Sequence, residues 1–549
     1  MHQGYMSLGV SMKKAVASKS KETVKKSEER HMKKLRLLGF KVIASGCALG
    51  VTIMVLSSMF GAQAFAGKAD DTLNVIWQRE LTTYDFYFLN VVEGTSMSQL
   101  ICDTLIDRDP YSLEYRPLLA TSWKWRTPTQ LAVELRQGVK FHDGKDFTAA
   151  DVAYTLNWAS DPASKVLTQQ MVNWIDKVEQ TGPYSVLIHL KKPNRSVIDL
   201  LAVGLPMYPK EYHSRVGTKG FSEKPIGTGP YRAVSIQVGT SALLEKNDQY
   251  FSGGPKGKPT IGKIFVRHLK DANIAMGELM TGRADWIWQL SADQAEQLER
   301  IPKVTVEYAE SNRISYLGFR PRKELLATPS PVMDVRVREA MSYAINRDAI
   351  VKYLAKGKSQ RLNSYCDPKM LGCLDGVASY PYDPGGAKKL LAEAGYPNGF
   401  SIDIYAYRDR PVTEAVIGDL KKVGIEAKLN FMQYAALYQH LVAGDVALQH
   451  TTWGGYGLMD VAWTLQGIFV EPAFDPAGDP EIHALIARGH TAETQSERND
   501  FYAQAFRRIA KGYYWIPLYT VTDVYAYSGD LDYKAHRDGI NRFYLAKWK

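Results

Sequence analysis

Hydrophobic and polar positions follow two different periods along this chain. Short apolar runs predict β-strands at residues 73–77, 131–135 and 185–190. The longer segment 95–106 predicts a helix, and the two kinds of segment alternate without an evident internal repeat. This pattern is typical of the α/β and α+β classes, in which helices pack on the faces of a sheet.

Polar residues at helix ends support individual assignments. Thr148 followed by Asp151 is a capping pattern that satisfies free backbone N–H groups, so a helix is predicted to start there. Apolar residues at helical spacing predict one amphipathic helix over residues 334–354. Another helix is predicted from Asp383, which is followed by proline, to Gly395.

A strand-helix-strand unit comes next in the sequence. Its predicted strands cover residues 400–405 and 425–431, and its helix covers about 412–423. Strands joined through a helix in this way run parallel in one sheet. We therefore expect a parallel pair in this part of the chain.

The charge of the chain is concentrated at its N-terminus. The formal net charge is +10, but residues 1–66 hold eleven lysines and arginines against three glutamates. Residues 67–549 are therefore nearly neutral and offer no basic surface for nucleic acid. A length of 549 residues is too great for one core and predicts two or three lobes.

The basic stretch leads into a segment typical of a secretory signal. Residues 42–60 are apolar, and residues 64–66 read Ala-Phe-Ala, which suits signal peptidase. We expect cleavage before Gly67 and a periplasmic protein. Met32 begins an ordinary signal peptide, so the residues before it point to a start codon placed too far upstream. An uncleaved membrane anchor and lipidation at Cys47 are the alternatives.

Three cysteines follow the expected cleavage site. Cys366 and Cys373 lie in a segment that contains proline and glycine, and in an exported protein we expect a disulfide between them. Two unpaired surface thiols are the alternative. Cys102 lies in an apolar stretch and is expected to be a small buried residue rather than a nucleophile.

The sequence has no evident catalytic or metal-binding motif. Neither His-Glu-x-x-His nor Gly-x-Ser-x-Gly occurs, and the Gly-Lys pair within residues 253–260 is followed by proline, which cannot serve in a phosphate loop. His483 and His490 lack a third ligand and indicate solvated surface. His142 beside Asp143 indicates a hairpin turn. No cofactor, no metal and no catalytic residue are expected.

Five motifs occur in order along the chain. They are Leu-Arg-Gln-Gly-Val-Lys-Phe-His-Asp-Gly at 135–144, Thr-Ala-Ala-Asp-Val at 148–152, Gly-Thr-Gly-Pro-Tyr at 227–231, the helical segment 334–347, and the capped helix at 382–397. Together they resemble the extracytoplasmic solute-binding proteins of family 5, which serve importers of peptides, opines and nickel. Most of these motifs are turns, caps and a helix face, so they identify a scaffold rather than a ligand.

The resemblance implies an α/β, two-lobed periplasmic binding protein fold of type II-like form. The first lobe is enlarged and discontinuous, comprising residues 67–314 and 515–549, and residues 315–514 form the second. A small solute would bind between the lobes and favour their closure. The closed protein, a monomer, would then deliver it to the permease subunits of an ABC importer driven by a cytoplasmic ATPase.

The resemblance also implies a ligand-contacting segment after Trp453. Peptide binders of the family often carry Trp-x-x-Asp there, and the aspartate pairs with the peptide's α-amino group. In this chain Tyr456 stands at that position, after Gly455, and a neutral phenol supplies no counter-charge. Asp460 is expected to compensate in part if it faces the cleft.

Other ligand contacts are expected at strand ends, where α/β proteins collect their ligands. Arg408 or Arg410 is expected to bind a ligand carboxylate, with Tyr407 and Trp453 stacked on the body of the ligand. The alternative for both arginines is a surface ion pair. From the first lobe the candidates by family position are Tyr84, Tyr87 and Asn90.

Three functions remain open from the sequence. The favoured one is capture of a small peptide or opine for import. The alternative on the same scaffold is binding of nickel or a metallophore, which needs imidazole or soft ligands near the cleft. The alternative from another class is a secreted hydrolase, which predicts turnover of peptides or esters.

Overall fold

A computed structural model describes residues 67–549 except residues 90, 456 and 471–473. The described residues belong to the second of two compact units, which runs from Phe65 to Lys549. None of the helices in this described part is long and apolar enough to cross a bilayer. The predicted signal segment, including Cys47, lies outside the described residues.

The strands are distributed along the whole described chain. They are β1 (Thr72–Trp77), β2 (Ile106–Arg108), β3 (Tyr115–Pro117), β4 (Ala120–Thr127), β5 (Gln130–Leu135), β6 (Ile175–Gly182), β7 (Ser185–Leu190), β8 (Tyr231–Gln237), β9 (Ser241–Lys246), β10 (Lys263–His268), β11 (Trp286–Trp288), β12 (Val304–Phe319), β13 (Phe400–Ala406), β14 (Ile425–Phe431), β15 (Leu448–Trp453), β16 (Trp515–Ser528), β17 (Leu531–Asp532) and β18 (Lys547–Trp548).

The α-helices alternate with these strands. They are α1 (Val92–Ile101), α2 (Ala149–Ser160), α3 (Gln169–Val172), α4 (Val197–Asp199), α5 (Lys210–Glu223), α6 (Ala272–Met280), α7 (Ala292–Leu298), α8 (Val335–Ala344), α9 (Arg347–Ile350), α10 (Pro384–Glu393), α11 (Arg410–Lys421), α12 (Tyr434–Ala443), α13 (Ala462–Phe469), α14 (Pro480–Thr491) and α15 (Gln495–Lys511). Leu200–Gly204 and Val351–Ala355 are π-helical.

The largest sheet joins ten of the described strands in the order β14-β13-β15-β12-β16-β11-β1-β10-β9-β8. Strand β13 runs parallel to β14 and to β15, which confirms the predicted strand-helix-strand unit. The long strands β12 and β16 pair antiparallel in its middle. A separate sheet has the order β4-β5-β7-β6.

Two large hydrophobic cores lie along this sheet, and β12 and β16 contribute to both. On β12, Ala309 packs in the first core and Ile314 in the second, and the ladder with β16 is irregular between Glu310 and Ile314. Leu458, which follows β15, packs in the first core although its neighbours Met459 and Val461 pack in the second. The lobe boundaries expected from the resemblance remain a prediction.

Local sequence signals account for several elements. Thr148 and Asp151 form the predicted capping box, because Asp151 accepts a hydrogen bond from the Thr148 N–H at 2.9 Å. Asp383 caps α10 by accepting from the Gly386 N–H at 2.9 Å. The predicted hairpin turn at His142 lies between the bridged residues Lys140 and Asp146.

The Gly-Thr-Gly-Pro-Tyr motif has a packing explanation. A Cβ atom at Gly227 would lie 2.1 Å from the Ile101 carbonyl oxygen, and one at Gly229 would lie 2.4 Å from that of Leu100. His142, from the first motif, hydrogen-bonds through Nε2 to the Gly229 carbonyl at 3.0 Å. Two motifs of the family resemblance therefore pack against each other and against the end of α1.

Two predicted helices differ from the structure. The segment predicted as a helix over 95–106 is helical only to Ile101, because the chain then extends and buries Asp103, which accepts from Thr228 Oγ1 at 2.9 Å. The predicted single helix over 334–354 ends at Ala344. Asn346 interrupts it by capping the next helix, where its side chain accepts from the Ala349 N–H at 2.9 Å.

Candidate functional site

A cavity of about 1160 Å³ is bounded by side chains of both cores. Phe88, Trp174 and Leu458 line it from the first core, and Tyr316 and Trp515 line it from the second. Its volume is slightly above the range typical of small-molecule pockets, about 300–1,000 Å³. The cavity therefore has room for a solute larger than a single amino acid.

Two parallel strands direct predicted ligand contacts into this cavity. Trp453 is the last residue of β15, and Tyr407 and Arg408 follow directly after β13, which pairs with it. All three residues line the cavity, and so does Gly455. Because the carboxyl ends of parallel strands meet at one edge of a sheet, the strand order brings these residues together.

Arg408 lies against polar and aromatic neighbours. Its Nη1 donates to Thr452 Oγ1 at 3.3 Å, and its guanidinium carbon lies 5.0 Å from the centre of the Tyr407 ring. Among the described carboxylates, none forms an ion pair with it, whereas Arg410 pairs with Glu414 at 2.8 Å on the surface. Of the two predicted arginines, the structure places Arg408 on the cavity wall.

Tyr407 shares this environment. Burial raises the pKa of its phenol, but the positive charge of Arg408 and hydrogen bonds from neighbouring threonines outweigh burial, so the pKa lies below its ordinary value. Its hydroxyl lies 3.2 Å from Thr452 Oγ1. This part of the wall favours negative charge.

Glycines make room for the larger side chains of the site. A Cβ atom at Gly467 would lie 3.2 Å from the Trp453 indole, whose Nε1 donates to Thr464 Oγ1 at 3.1 Å. A Cβ atom at Gly454 would lie 2.3 Å from Cγ of Arg313, so that side chain crosses directly over the glycine. Arg313 forms an ion pair with Asp523.

Some predicted ligand residues lie elsewhere. Tyr84 and Tyr87 are buried in the first core, where the Tyr87 hydroxyl donates to the Pro206 carbonyl at 3.0 Å. Asp460 is 2% exposed, and its carboxylate faces Arg498 instead of the cavity. In each case packing into a core occupies the side chain. Asn90 and Tyr456 lie outside the described residues.

The cysteines and histidines are also placed by the structure. Cys366 and Cys373 form a disulfide with Cα atoms 5.9 Å apart, and Cys102 is a buried free thiol. His490 is half-buried and lines the cavity instead of lying on solvated surface, and burial lowers the pKa of its imidazole to about 4. His483 lies 2.8 Å from Asp475. The described His, Cys, Asp and Glu side chains include no group of three or more that suits a metal ion.

Sequence reasoning missed several charged residues of the cavity wall, above all Glu93. This glutamate lies in the first turn of α1, is 2% exposed and lines the cavity. Arg79 and Arg313 also line it. An acid in the first turn of a helix is common, so the sequence gives no signal that this one is buried at a site.

Comparison with known proteins gives consistent results. Residues 114–473 match the family described as bacterial extracellular solute-binding proteins, family 5 Middle. The glutathione-binding protein GsiB of Shigella dysenteriae serotype 1 (strain Sd197) is 27% identical over 503 residues, which cover 88% of this chain and 94% of the relative.

Solved structures show the same fold. A dipeptide-binding protein from Pseudoalteromonas sp. SM9913, in complex with Met-Leu, superposes with a TM-score of 0.76 at 21% identity and covers 87% of this chain and 100% of its own. The protein AgaA from A. tumefaciens R10, in complex with agropinic acid, gives 0.73 at 24% identity, with 87% and 99% covered.

Proposed function

The chain belongs to the bacterial extracellular solute-binding proteins of family 5, the ligand-capturing components of ABC importers, and we propose that its own ligand is a small peptide or an opine-like amino acid derivative. The similar proteins named above bind glutathione, Met-Leu and agropinic acid. These solutes share a free carboxylate on a flexible body with amide groups or hydroxyls. We propose that the ligand of this chain has these shared groups, and we do not propose a single compound.

The position of Arg408 carries this proposal. Its guanidinium lies on the wall of a cavity of about 1160 Å³ and has no ion pair with any described carboxylate. A planar guanidinium binds a carboxylate through two parallel hydrogen bonds, which orients the ligand as well as holding it. Trp453 beside it offers an aromatic face to the body of the ligand.

Of the residues predicted from the sequence, we propose four as ligand contacts: Trp453, Gly455, Tyr407 and Arg408. All four line the cavity. We do not extend the proposal to Tyr84, Tyr87 or Asp460, whose side chains are occupied within the cores. We propose further that the two cores move as lobes about β12 and β16, so that a bound ligand favours the closed arrangement.

Members of this family are transport components and not enzymes, and we propose that this chain catalyses no reaction. It would act as a monomer in the periplasm and deliver its ligand to a permease driven by a cytoplasmic ATPase. Export is supported by the Ala-Phe-Ala site at residues 64–66 and by the Cys366–Cys373 disulfide, since disulfides are typical of oxidising compartments. Mass spectrometry of the secreted protein should find Gly67 at its N-terminus. Retention of residues 1–31 would contradict this.

The ligand class is tested by thermal unfolding of the secreted protein with glutathione, Met-Leu, agropinic acid and nickel-histidine. A solute that binds the native state alone raises the midpoint in proportion to RT ln(1 + [L]/Kd), so one peptide or opine should raise it and nickel-histidine should not. Each mixture is then assayed by mass spectrometry for turnover. A shift with nickel-histidine alone, or consumption of a peptide, would refute the proposal.

A further inference from the structure

Glu93 is a buried carboxylate on the cavity wall. It lies in the first turn of α1, where the helix dipole favours a negative charge, and only 2% of its surface is exposed. A buried carboxylate is costly unless a cation or several hydrogen bonds compensate it. Among the described cations, none forms an ion pair with Glu93.

Three arginines of the same wall act on Glu93 from a distance. Burial raises the pKa of its carboxyl above the ordinary value, although the charge of Arg79, a hydrogen bond from the Glu93 backbone N–H and the charges of Arg313 and Arg408 oppose that rise. Arg313 is already paired with Asp523, whereas Arg79 and Arg408 have no ion pair among the described residues. Of these four groups, the Glu93 carboxylate and the guanidinium groups of Arg79 and Arg408 line the same cavity without an ion pair among the described residues.

This charge pattern is complementary to a zwitterion that carries one ammonium and one or two carboxylates. An ammonium on Glu93 would supply the counter-charge that the buried carboxylate lacks. The guanidinium groups would at the same time bind the ligand's carboxylates. Neither Trp453 nor the other aromatic residues of the wall can supply this negative charge.

We propose that Glu93 binds the ammonium group of the ligand and thereby selects solutes with a free amino group. Glu93 lies on α1, on the side of the first core. The position at which peptide binders of the family often carry the ammonium-binding aspartate is Tyr456 in this chain. The inference rests on the proposed function, since it assumes a peptide or opine ligand. It adds the requirement for an amine, which neither the family nor Arg408 imposes.

The test compares each solute with an analogue in which hydrogen replaces the amino group. Glutathione and glutaryl-Cys-Gly form one such pair, with the same two carboxylates, and Met-Leu and 4-(methylthio)butanoyl-Leu form another. Isothermal titration measures the affinity ratio within each pair. The wild-type protein should prefer at least one amine by about tenfold or more. Glu93→Gln should reduce that ratio to about one, with the affinity for the amine-free analogue kept within about twofold.

Two further variants separate charge recognition from folding. Glu93→Asp keeps the charge and should retain the preference for the amine with reduced affinity. Glu134→Gln removes an exposed acid on β5 and should leave the ratio unchanged. A variant that merely misfolds would lose affinity for both members of a pair equally.

The remaining outcomes are also decisive. The role of Glu93 is overturned if the wild-type protein binds the amine-free analogue as tightly as the amine. It is also overturned if the Glu93→Gln protein keeps the preference for the amine. Both results leave the proposed function intact. Binding of agropinic acid alone, whose nitrogen is an uncharged lactam, would have the same consequence. If none of these solutes binds, the proposed function fails and the inference fails with it.

Discussion

Arg498 donates from Nη2 to both carboxylate oxygens of Asp460, at 2.7 Å each, inside the second core. Asp460 also accepts from the Ala462 N–H at 2.9 Å. This pair holds the start of α13 against α15 and thereby supports the segment that follows Trp453. The acid expected to face the ligand is thus a structural anchor of the site.

Removing one partner of this pair is expected to destabilise the protein strongly. Asp460→Ala leaves the guanidinium of Arg498 buried and uncompensated, so the free energy of unfolding should fall by about 3–5 kcal/mol. Urea unfolding followed by tryptophan fluorescence measures this. The double variant Asp460→Ala/Arg498→Met should recover part of the loss, and a single variant as stable as the wild type would contradict the account.

The Gly-Thr-Gly-Pro-Tyr motif should tolerate no side chain at its glycines. In Gly229→Ala the new Cβ atom would lie 2.4 Å from the Leu100 carbonyl oxygen, so we expect a loss of about 3 kcal/mol or more in the free energy of unfolding. The matched control is Gly277→Ala within α6, where a Cβ atom meets nothing within 4 Å. That control should be neutral or stabilised by up to about 1 kcal/mol, and equal effects at both glycines would refute the packing argument.

Buried His450 should make stability fall in mild acid. Burial lowers the pKa of its imidazole from 6.5 to about 4, while the ring contacts Ser315 and Thr413. As the pH falls, the imidazole is protonated in the unfolded state before it is protonated in the folded state. The free energy of unfolding should therefore fall by about 3 kcal/mol between pH 6.5 and about pH 4. Urea titrations of wild type and His450→Gln across this range should diverge by that amount. Parallel curves would contradict the prediction.

The disulfide between Cys366 and Cys373 closes a short loop with a sequence separation of 7. A crosslink of that span restricts the unfolded chain modestly, so its reduction should lower the free energy of unfolding by about 2 kcal/mol. Unfolding with and without a thiol reductant measures the change. The variant Cys366→Ser/Cys373→Ser serves as the control, because the reductant should have no further effect on it.

The sequence predicted those helices and strands that are determined by residues close together in the chain. The apolar run at 185–190 and the strand-helix-strand unit at 400–431 correspond to β7 and to β13, α11 and β14. The helix break at Asn346 was missed because apolar spacing continues through it. Asn346 caps the next helix, and tertiary contacts hold the break in place, since Arg347 donates to the carbonyls of Leu362, Pro517 and Tyr380.

The residues of the candidate site also include some that the sequence predicts and some that it does not. Arg408 was predictable because it follows the predicted strand at 400–405, and strand ends are where ligands collect in α/β folds. Trp453 was expected from the family resemblance. Glu93 was not predictable, because its burial depends on a cavity assembled from two cores. The partner of Asp460 was also unpredictable, since Arg498 lies on α15, 38 residues further along the chain.

The central claim, that the solute binds in the cavity at Arg408, is tested most directly by isothermal titration of the solute that gives the largest thermal shift. The matched control is Arg410→Gln, because that arginine pairs with Glu414 on the surface. Wild type and Arg410→Gln should bind one solute per chain with equal affinity, and Arg408→Gln should bind at least about tenfold more weakly, a loss of about 1.4 kcal/mol or more. An Arg408→Gln protein that binds as tightly as the wild type would contradict the account.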